Sequence, residues 1–143
     1  MIKNEIKKKL ADKINHWHEH SIRRVYFSVN PEDIREVATF LFNELNLRFA
    51  TATGEDTPRG LEILYHFSFD KTGEMVSARV LIKNKKNPEI DSIAAIFPGA
   101  EWIEREIWEM LGINFKGHPD LKRLLLAEDW PEGKFPLRHE HEP

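Results

Sequence analysis

The sequence has no cysteine among its 143 residues. That absence excludes disulfides, thiolate zinc sites, iron–sulfur ligation and cysteine nucleophiles from this chain. No stretch approaches the roughly 18–20 consecutive apolar residues of a membrane-spanning helix. Residues 1–10 carry Lys3, Lys7, Lys8 and Lys9, but no apolar run follows, so they do not read as a signal peptide. Glycine is scarce, and none of it falls into a Gly-x-Gly-x-x-Gly or Walker A pattern. No serine or threonine sits in a nucleophile elbow. A surplus of positive charge is missing too. The formal net charge is −3, which argues against general nucleic-acid binding, since that requires a basic domain.

What is present suits one soluble domain: 41% hydrophobic and 31% charged residues. The charge is uneven. Residues 1–13 hold five lysines against Glu5 and Asp12, whereas residues 101–143 hold ten acidic and six basic side chains. Ile2, Ile6, Leu10 and Ile14 recur every four residues and predict a short amphipathic helix. Residues 23–29, rich in β-branched and aromatic side chains, predict a strand. Asn30 as N-cap and Pro31 at the first helical position then open a helix with Ile34, Val37, Ala38, Leu41 and Leu45 on one face. Residues 47–53 read as a strand and 56–60 as a turn. Leu61, Ile63, Tyr65, Phe67 and Phe69 alternate with more polar residues, and Val76, Ala78, Val80 and Ile82 alternate after an Asp70-Lys71-Thr72-Gly73 turn. Asn87-Pro88-Glu89 is expected to open another helix, striped by Ile90, Ile93, Ala94 and Phe97. Residues 100–111 form a last one, closed by Gly112. The fold class is therefore α+β, an antiparallel sheet with helices packed on it.

Residues 113–143 differ in kind. They combine four of the eight prolines with Ile113, Phe115, Leu121, Leu124, Leu125, Leu126, Trp130, Phe135 and Leu137. So much apolar surface is expected either to fold back or to be ordered against another protein, and the second is preferred. The organisation expected is a domain over residues 1–112 and an extended, Pro- and Gly-containing docking tail over 113–143.

His16, His18 and His20 invite a metal reading, as do His139 and His141. Zinc or nickel needs convergent ligands in an enclosed site, and no carboxylate motif completes either run. The plainer reading of 16–20 is the polar edge of a helix-to-strand loop, and no metal ligand is assigned. Glu101, Glu104, Glu106 and Glu109 lack the Glu-x-x-His pairing of di-iron bundles. Arg105, four residues from both Glu101 and Glu109, is expected to be held between acids. Trp102 and Trp108 share that helix and fit either a core or an interface.

Residues 104–125 carry something more specific. Glu104, Arg105, Glu106, Glu109, Met110, Leu111, His118, Lys122, Leu124 and Leu125 together resemble the signature of the 30 kDa subunit family of respiratory complex I. That family includes the matching subunits of group 4 nickel–iron hydrogenases and their relatives. Flanking residues 97–102, the segment Gly117-His118-Pro119-Asp120, and Phe135-Pro136-Leu137-Arg138 are similar as well.

The resemblance implies a non-catalytic structural subunit in the hydrophilic arm of a membrane-bound, ion-translocating oxidoreductase. It implies no cofactor in this chain, with iron–sulfur clusters and a nickel–iron centre in sister subunits. The implied partners are the large hydrogenase-like or 49 kDa-like subunit and a neighbouring cluster-bearing small subunit. The membrane is met only through the complex, on its cytoplasmic side. The residues expected to carry the interface are Glu104, Arg105, Glu106, Glu109, Phe115, His118, Pro119, Asp120, Lys122, Arg123, Trp130, Phe135 and Arg138. The compact length resembles hydrogenase-type or sulfur-reducing members. Two rival readings are a free-standing metal enzyme using the histidine runs and a soluble regulator using the same interface transiently.

Overall fold

Two packed layers account for the computed structural model, which describes residues 2–122 and 130–139. Arg123, Leu124, Leu125, Leu126 and His141 fall outside the described residues. In chain order the elements are α1 (Ile2–Lys9), β1 (Ile14–Ser21), β2 (Arg24–Val29), α2 (Ile34–Asn43), β3 (Arg48–Thr57), β4 (Gly60–Phe69), β5 (Glu74–Ile82), β6 (Glu89–Asp91), α3 (Ala100–Leu111) and β7 (Asn114–Lys116). Strands β1 to β5 form one sheet in the order β1-β2-β5-β4-β3, while β6 and β7 pair separately and in parallel. The large sheet is antiparallel as expected except at its centre. There β2 and β5 run parallel, because α2 and the β3–β4 hairpin intervene between them.

One face of the sheet holds the core. Val25, Phe27 and Val29 of β2 lie level with Val76, Ala78 and Val80 of β5 and with Ile63, Tyr65 and Phe67 of β4, all buried. The helices cover this face. Ile34, Val37, Ala38 and Leu41 of α2 are fully buried. Phe97 packs its ring on Phe42, Phe49 and Phe67. Lys7 of α1 lies over Trp17, which stacks on Phe27. Gly54 lets α3 lie close on β3. A β-carbon there would stand 2.6 Å from the Leu111 side chain.

Four sequence expectations change. The period of four that began at Ile2 stops at Leu10, and Ile14 instead starts β1. Residues 16–20 are a strand rather than a loop. Both faces of β1 are largely exposed, so no apolar alternation marks it. Asn30 does not cap α2. Its Oδ1 accepts from Asn15 Nδ2 (2.9 Å), and Pro31–Asp33 form a 3-10 turn before the helix begins at Ile34. Finally, the helix expected after Pro88 is absent. Ile90, Ile93, Ala94 and Phe97 are buried as the stripe requires. Their backbone, however, is claimed from outside: Pro88 O accepts from Asn114 N–H (2.9 Å), and Lys116 O accepts from Ser92 N–H (2.8 Å). The partners are β7 and its flanks, some 25 residues downstream, so local periodicity could not reveal them.

Candidate functional site

Helix α3 is the spine of the site. Its period places Glu104, Arg105 and Glu109 inward with Ile107 and Leu111, while Trp102 is 60% exposed and Glu106 faces solvent. Charged side chains are seldom buried unless satisfied, and Glu104 is satisfied. Its Oε1 accepts from the Ser92 hydroxyl (2.5 Å) and its Oε2 from the Ile93 N–H (2.9 Å). Burial pushes this carboxyl above its ordinary range, against those two hydrogen bonds and the nearby His118. One side chain on α3 thus holds the turn that follows β6.

His118 closes the other side. Its Nδ1 accepts from the Asp120 N–H (2.9 Å), so the ring proton sits on Nε2, which donates to Glu101 O (2.9 Å). The same Nε2 lies 4.0 Å from Glu104 Oε1. Arg105 lays its guanidinium over the Trp102 ring at 5.1 Å, and its Nε donates to Lys122 O (3.2 Å). Lys122 pairs with Asp120 (3.1 Å) at the surface, and Pro119 is exposed. The structure therefore gathers Glu104, Arg105, His118, Asp120 and Lys122 around one helix end, tied largely through backbone groups of the segment after α3.

The segment beyond Gly112 belongs partly to the domain. Ile113 and Phe115 are 0% and 1% exposed and lie in the same core. Phe115, expected as an anchor on a partner, is a core residue, since β7 pairs beside β6 and sets it level with the buried Ile90. Residues 130–139 also return to α3. Leu137 N–H donates to Met110 O (2.9 Å). Arg138 Nε donates to Leu111 O (2.7 Å) and Nη2 to Lys85 O (2.9 Å), placing a cation at the negative end of α3. Phe135 lies against Gly112, where a β-carbon would meet its ring at 2.5 Å. His139 N–H donates to Asp56 Oδ2 (2.7 Å), and Lys85 pairs with the same carboxylate. Burial pushes the Asp56 carboxyl up, but the Lys85 ammonium and the His139 N–H outweigh it and hold it below the usual range.

Outward from this frame, Trp130 donates its indole N–H to Lys134 O (2.8 Å) and lines a 280 Å³ pocket with Trp108, Glu109 and Phe135. Trp102, Trp130 and Leu137 are exposed apolar side chains. Ser92 and Asp56 hold the site together without any local sign in the sequence. Nothing local marks Ser92 as the partner of a glutamate twelve residues on. Among the described residues, no group of three or more His, Asp or Glu side chains is placed to hold a metal. His16, His18 and His20 stand on the exposed side of β1, where His18 and His20 flank Tyr26.

The family described as "Respiratory-chain NADH dehydrogenase, 30 Kd subunit" matches residues 27–143. The chain belongs to this family. Relatives of the 30 kDa subunit family include the C subunit of the NADH-quinone oxidoreductase of Chloroherpeton thalassium, 32% identical over 140 residues, covering 95% of this chain and 58% of the relative. The corresponding C subunit of Chelativorans sp. is 33% identical over 139 residues, covering 93% and 67%. The fused C/D subunit of Bacteroides thetaiotaomicron is 35% identical over 107 residues, 73% of this chain and 20% of that protein. The chain thus spans about a fifth of the fused relatives. Among solved structures, a chain of the membrane-bound sulfane sulfur reductase, an archaeal respiratory membrane complex, shares the fold. Its TM-score is 0.84 at 24% identity, over 96% of this chain and 81% of that one. The trypsin-resistant fragment of Nqo5 matches with a TM-score of 0.67 at 20% identity, over 84% and 98%. No helix among the described residues is long and apolar enough to cross a membrane.

Proposed function

We propose that this chain is a non-catalytic structural subunit in the hydrophilic arm of a membrane-bound, ion-translocating oxidoreductase, and that it docks on the large, hydrogenase-like or 49 kDa-like subunit. One observation carries the reading. Part of the family's charged signature is turned inward: Glu104, Arg105 and His118 bind Ser92, Ile93, Glu101 and Lys122 of their own chain instead of opening into a cleft. Such an arrangement fixes the shape of a surface and leaves the contact itself to exposed side chains. Trp102 and Trp130 stand on that surface, and tryptophan is prominent among interface hot spots. The family membership and the relatives' names support the choice of complex. On this reading the iron–sulfur clusters and any nickel–iron centre reside in sister subunits. The chain reaches the membrane only through the assembly, on the cytoplasmic side.

The test is co-purification through an affinity tag on this chain in its source cells. Trp102→Ala with Trp130→Ala should leave the circular dichroism of the chain unchanged. Recovery of the large subunit should fall at least about 30-fold, as loss of one hot spot of ~2 kcal/mol requires. Unchanged recovery would place the docking surface elsewhere. A stoichiometric metal in the purified chain would favour the rival enzyme reading.

A further inference from the structure

The three helices pack on one face of the large sheet, and among the described residues the other face is left open. On that open face Tyr26 and Ser28 of β2 lie level with Ser77 and Arg79 of β5, which lie level with His66 and Leu64 of β4. His18 extends the row onto β1 and Thr51 onto β3. Tyr26, Ser28, Leu64, His66 and Arg79 are half-buried, His18 and Thr51 are exposed, and His66 Nδ1 meets Ser77 Oγ at 2.7 Å. The charges of this face do not cancel. Arg48 is paired with Asp70, and Arg79 with Glu62 through its Nε (3.0 Å). Arg24, Arg59 and Lys83 have no ion pair among the described residues, and the remaining acid of the face is Glu55, beside Glu62.

Arg24 stands at one end of the face, level with Met75, whereas Arg59 and Lys83 lie at the other. A 250 Å³ pocket lies there, with Arg59, Arg79 and Lys83 around it against the Glu62 carboxylate, which leaves an excess of two positive charges, and with the Ser28 hydroxyl and the Asn15 and Asn30 amides along its wall. The two Nη nitrogens of Arg79 have no hydrogen-bond acceptor among the described residues, because only its Nε meets Glu62. The site therefore offers two cations and a guanidinium edge to an acceptor of opposite charge. A guanidinium with both Nη groups available suits a carboxylate, which it can meet with two parallel N–H bonds. A net charge of −3 over the chain disfavours a nucleic-acid backbone running across it.

We infer that the open sheet face docks an acidic segment of a neighbouring protein subunit, one carboxylate of which enters the pocket between Arg59, Arg79 and Lys83. This rests on the chain being a subunit of a larger complex, and it adds a second contact surface, on the opposite side of the sheet from α3. An acidic strand or loop running along β2 would pass Ser28, Tyr26 and Arg24, with Arg79 beside Ser28 and the His18 ring beside Tyr26. Electrostatic matching of this kind sets register and partner choice.

The test uses the complex isolated through a tag on this chain. A zero-length carbodiimide crosslinker joins an amine to a carboxylate only when the two are in contact. Peptide mass spectrometry should find Lys83 linked to an aspartate or glutamate of a sister subunit. Lys83 should also resist acetylation in the complex and accept it in the free chain. In Arg59→Glu, an exposed position whose change leaves the Lys83 amine in place, the Lys83 crosslink should fall and sister-subunit retention should weaken about tenfold, the loss of roughly one charge contact. If sister subunits co-purify while Lys83 is acetylated at the free-chain rate, the sheet face is not an interface and the subunit reading stands. Nucleic acid, instead of a carboxylate, protecting Lys83 would likewise overturn the inference. A chain that purifies without any sister subunit overturns both.

Discussion

Glu104 and Asp56 are both buried carboxylates, yet their surroundings act on them in opposite directions. Burial dominates at Glu104, whose pKa is raised, whereas Lys85 and the His139 N–H dominate at Asp56, whose pKa is lowered. Linkage fixes the sign of each effect on stability. A raised acid contributes stability that is fully present below its unfolded pKa and is lost as pH rises through the folded value. A lowered acid contributes stability that is present above its unfolded pKa and is lost as pH falls through the folded one. Glutamine mimics the protonated Glu104 and keeps an oxygen for one of its two donors. In urea titrations between pH 4 and 7, the midpoint of the wild type should therefore fall relative to that of Glu104→Gln as pH rises above about 4.5. Asp56→Asn should behave in the reverse sense. The wild-type advantage should be flat above about pH 4 and shrink in more acid solution. Glu104→Ala leaves the Ser92 hydroxyl and Ile93 N–H without an acceptor and should cost ~3 kcal/mol at pH 7. A pH-independent difference between wild type and Glu104→Gln would show that the carboxyl titrates normally and is reached by water.

At the scale of elements, α3 and the segment that returns to it are separable by two glycines of equal backbone geometry. Gly73 and Gly112 have φ of +76° and +78°. A β-carbon at Gly73 meets nothing within 4 Å, and one at Gly112 meets the Phe135 ring. Alanine at either position bears the left-handed penalty of ~1–2 kcal/mol. Only Gly112→Ala must also displace Phe135, so its urea midpoint should fall further, by the equivalent of about 1 kcal/mol or more. Equal losses would mean that residues 130–139 do not rest on α3 in solution. The elements that were legible in the sequence are those whose partners are local or whose burial is one-sided. Helix α3 with its Gly112 cap, the apolar face of α2 and the alternation of β4 and β5 all follow from period and punctuation. Strand β6 was not legible, because Asn87-Pro88-Glu89 and the spacing of Ile90, Ile93, Ala94 and Phe97 fit a helix equally well, and the competing hydrogen bonds come from β7. Strand β1 was hidden for the opposite reason, having no buried face to alternate. Within the site, the signature residues could be named, but that Arg105 would bind Lys122 O and Glu104 would bind Ser92 depends on how the segments cross.

For the whole molecule the question is where the domain ends. A boundary at residue 112 would cut through the core, because Ile113 and Phe115 are as buried as any residue of the sheet and β7 is the pairing partner of β6. Removing a buried isoleucine or phenylalanine side chain costs roughly 2–5 kcal/mol each, and a domain of this size has only about 5–15 kcal/mol in total. Deleting residues 113–143 should therefore abolish the cooperative thermal transition. A chain ending at residue 122 keeps β7, Phe115, the His118 contacts and Lys122 O for Arg105. It loses the Arg138 bonds to Leu111 and Lys85 and the His139 bond to Asp56, each worth about 0.5–3 kcal/mol. It should melt cooperatively but at a temperature lower by about 5–15 °C, since 1 kcal/mol moves a domain of this size by a few degrees. It also lacks Trp130 and Leu137, the exposed apolar side chains of the returning segment. Folded and without that surface, it separates two roles that a cut at 112 would confound. If the chain ending at 122 melts cooperatively and no longer retains the large subunit, residues 123–143 carry the docking contact. If it retains the large subunit at the full-length level, the contact lies on α3 and the sheet, and the returning segment acts only to cap the helix and seal the core.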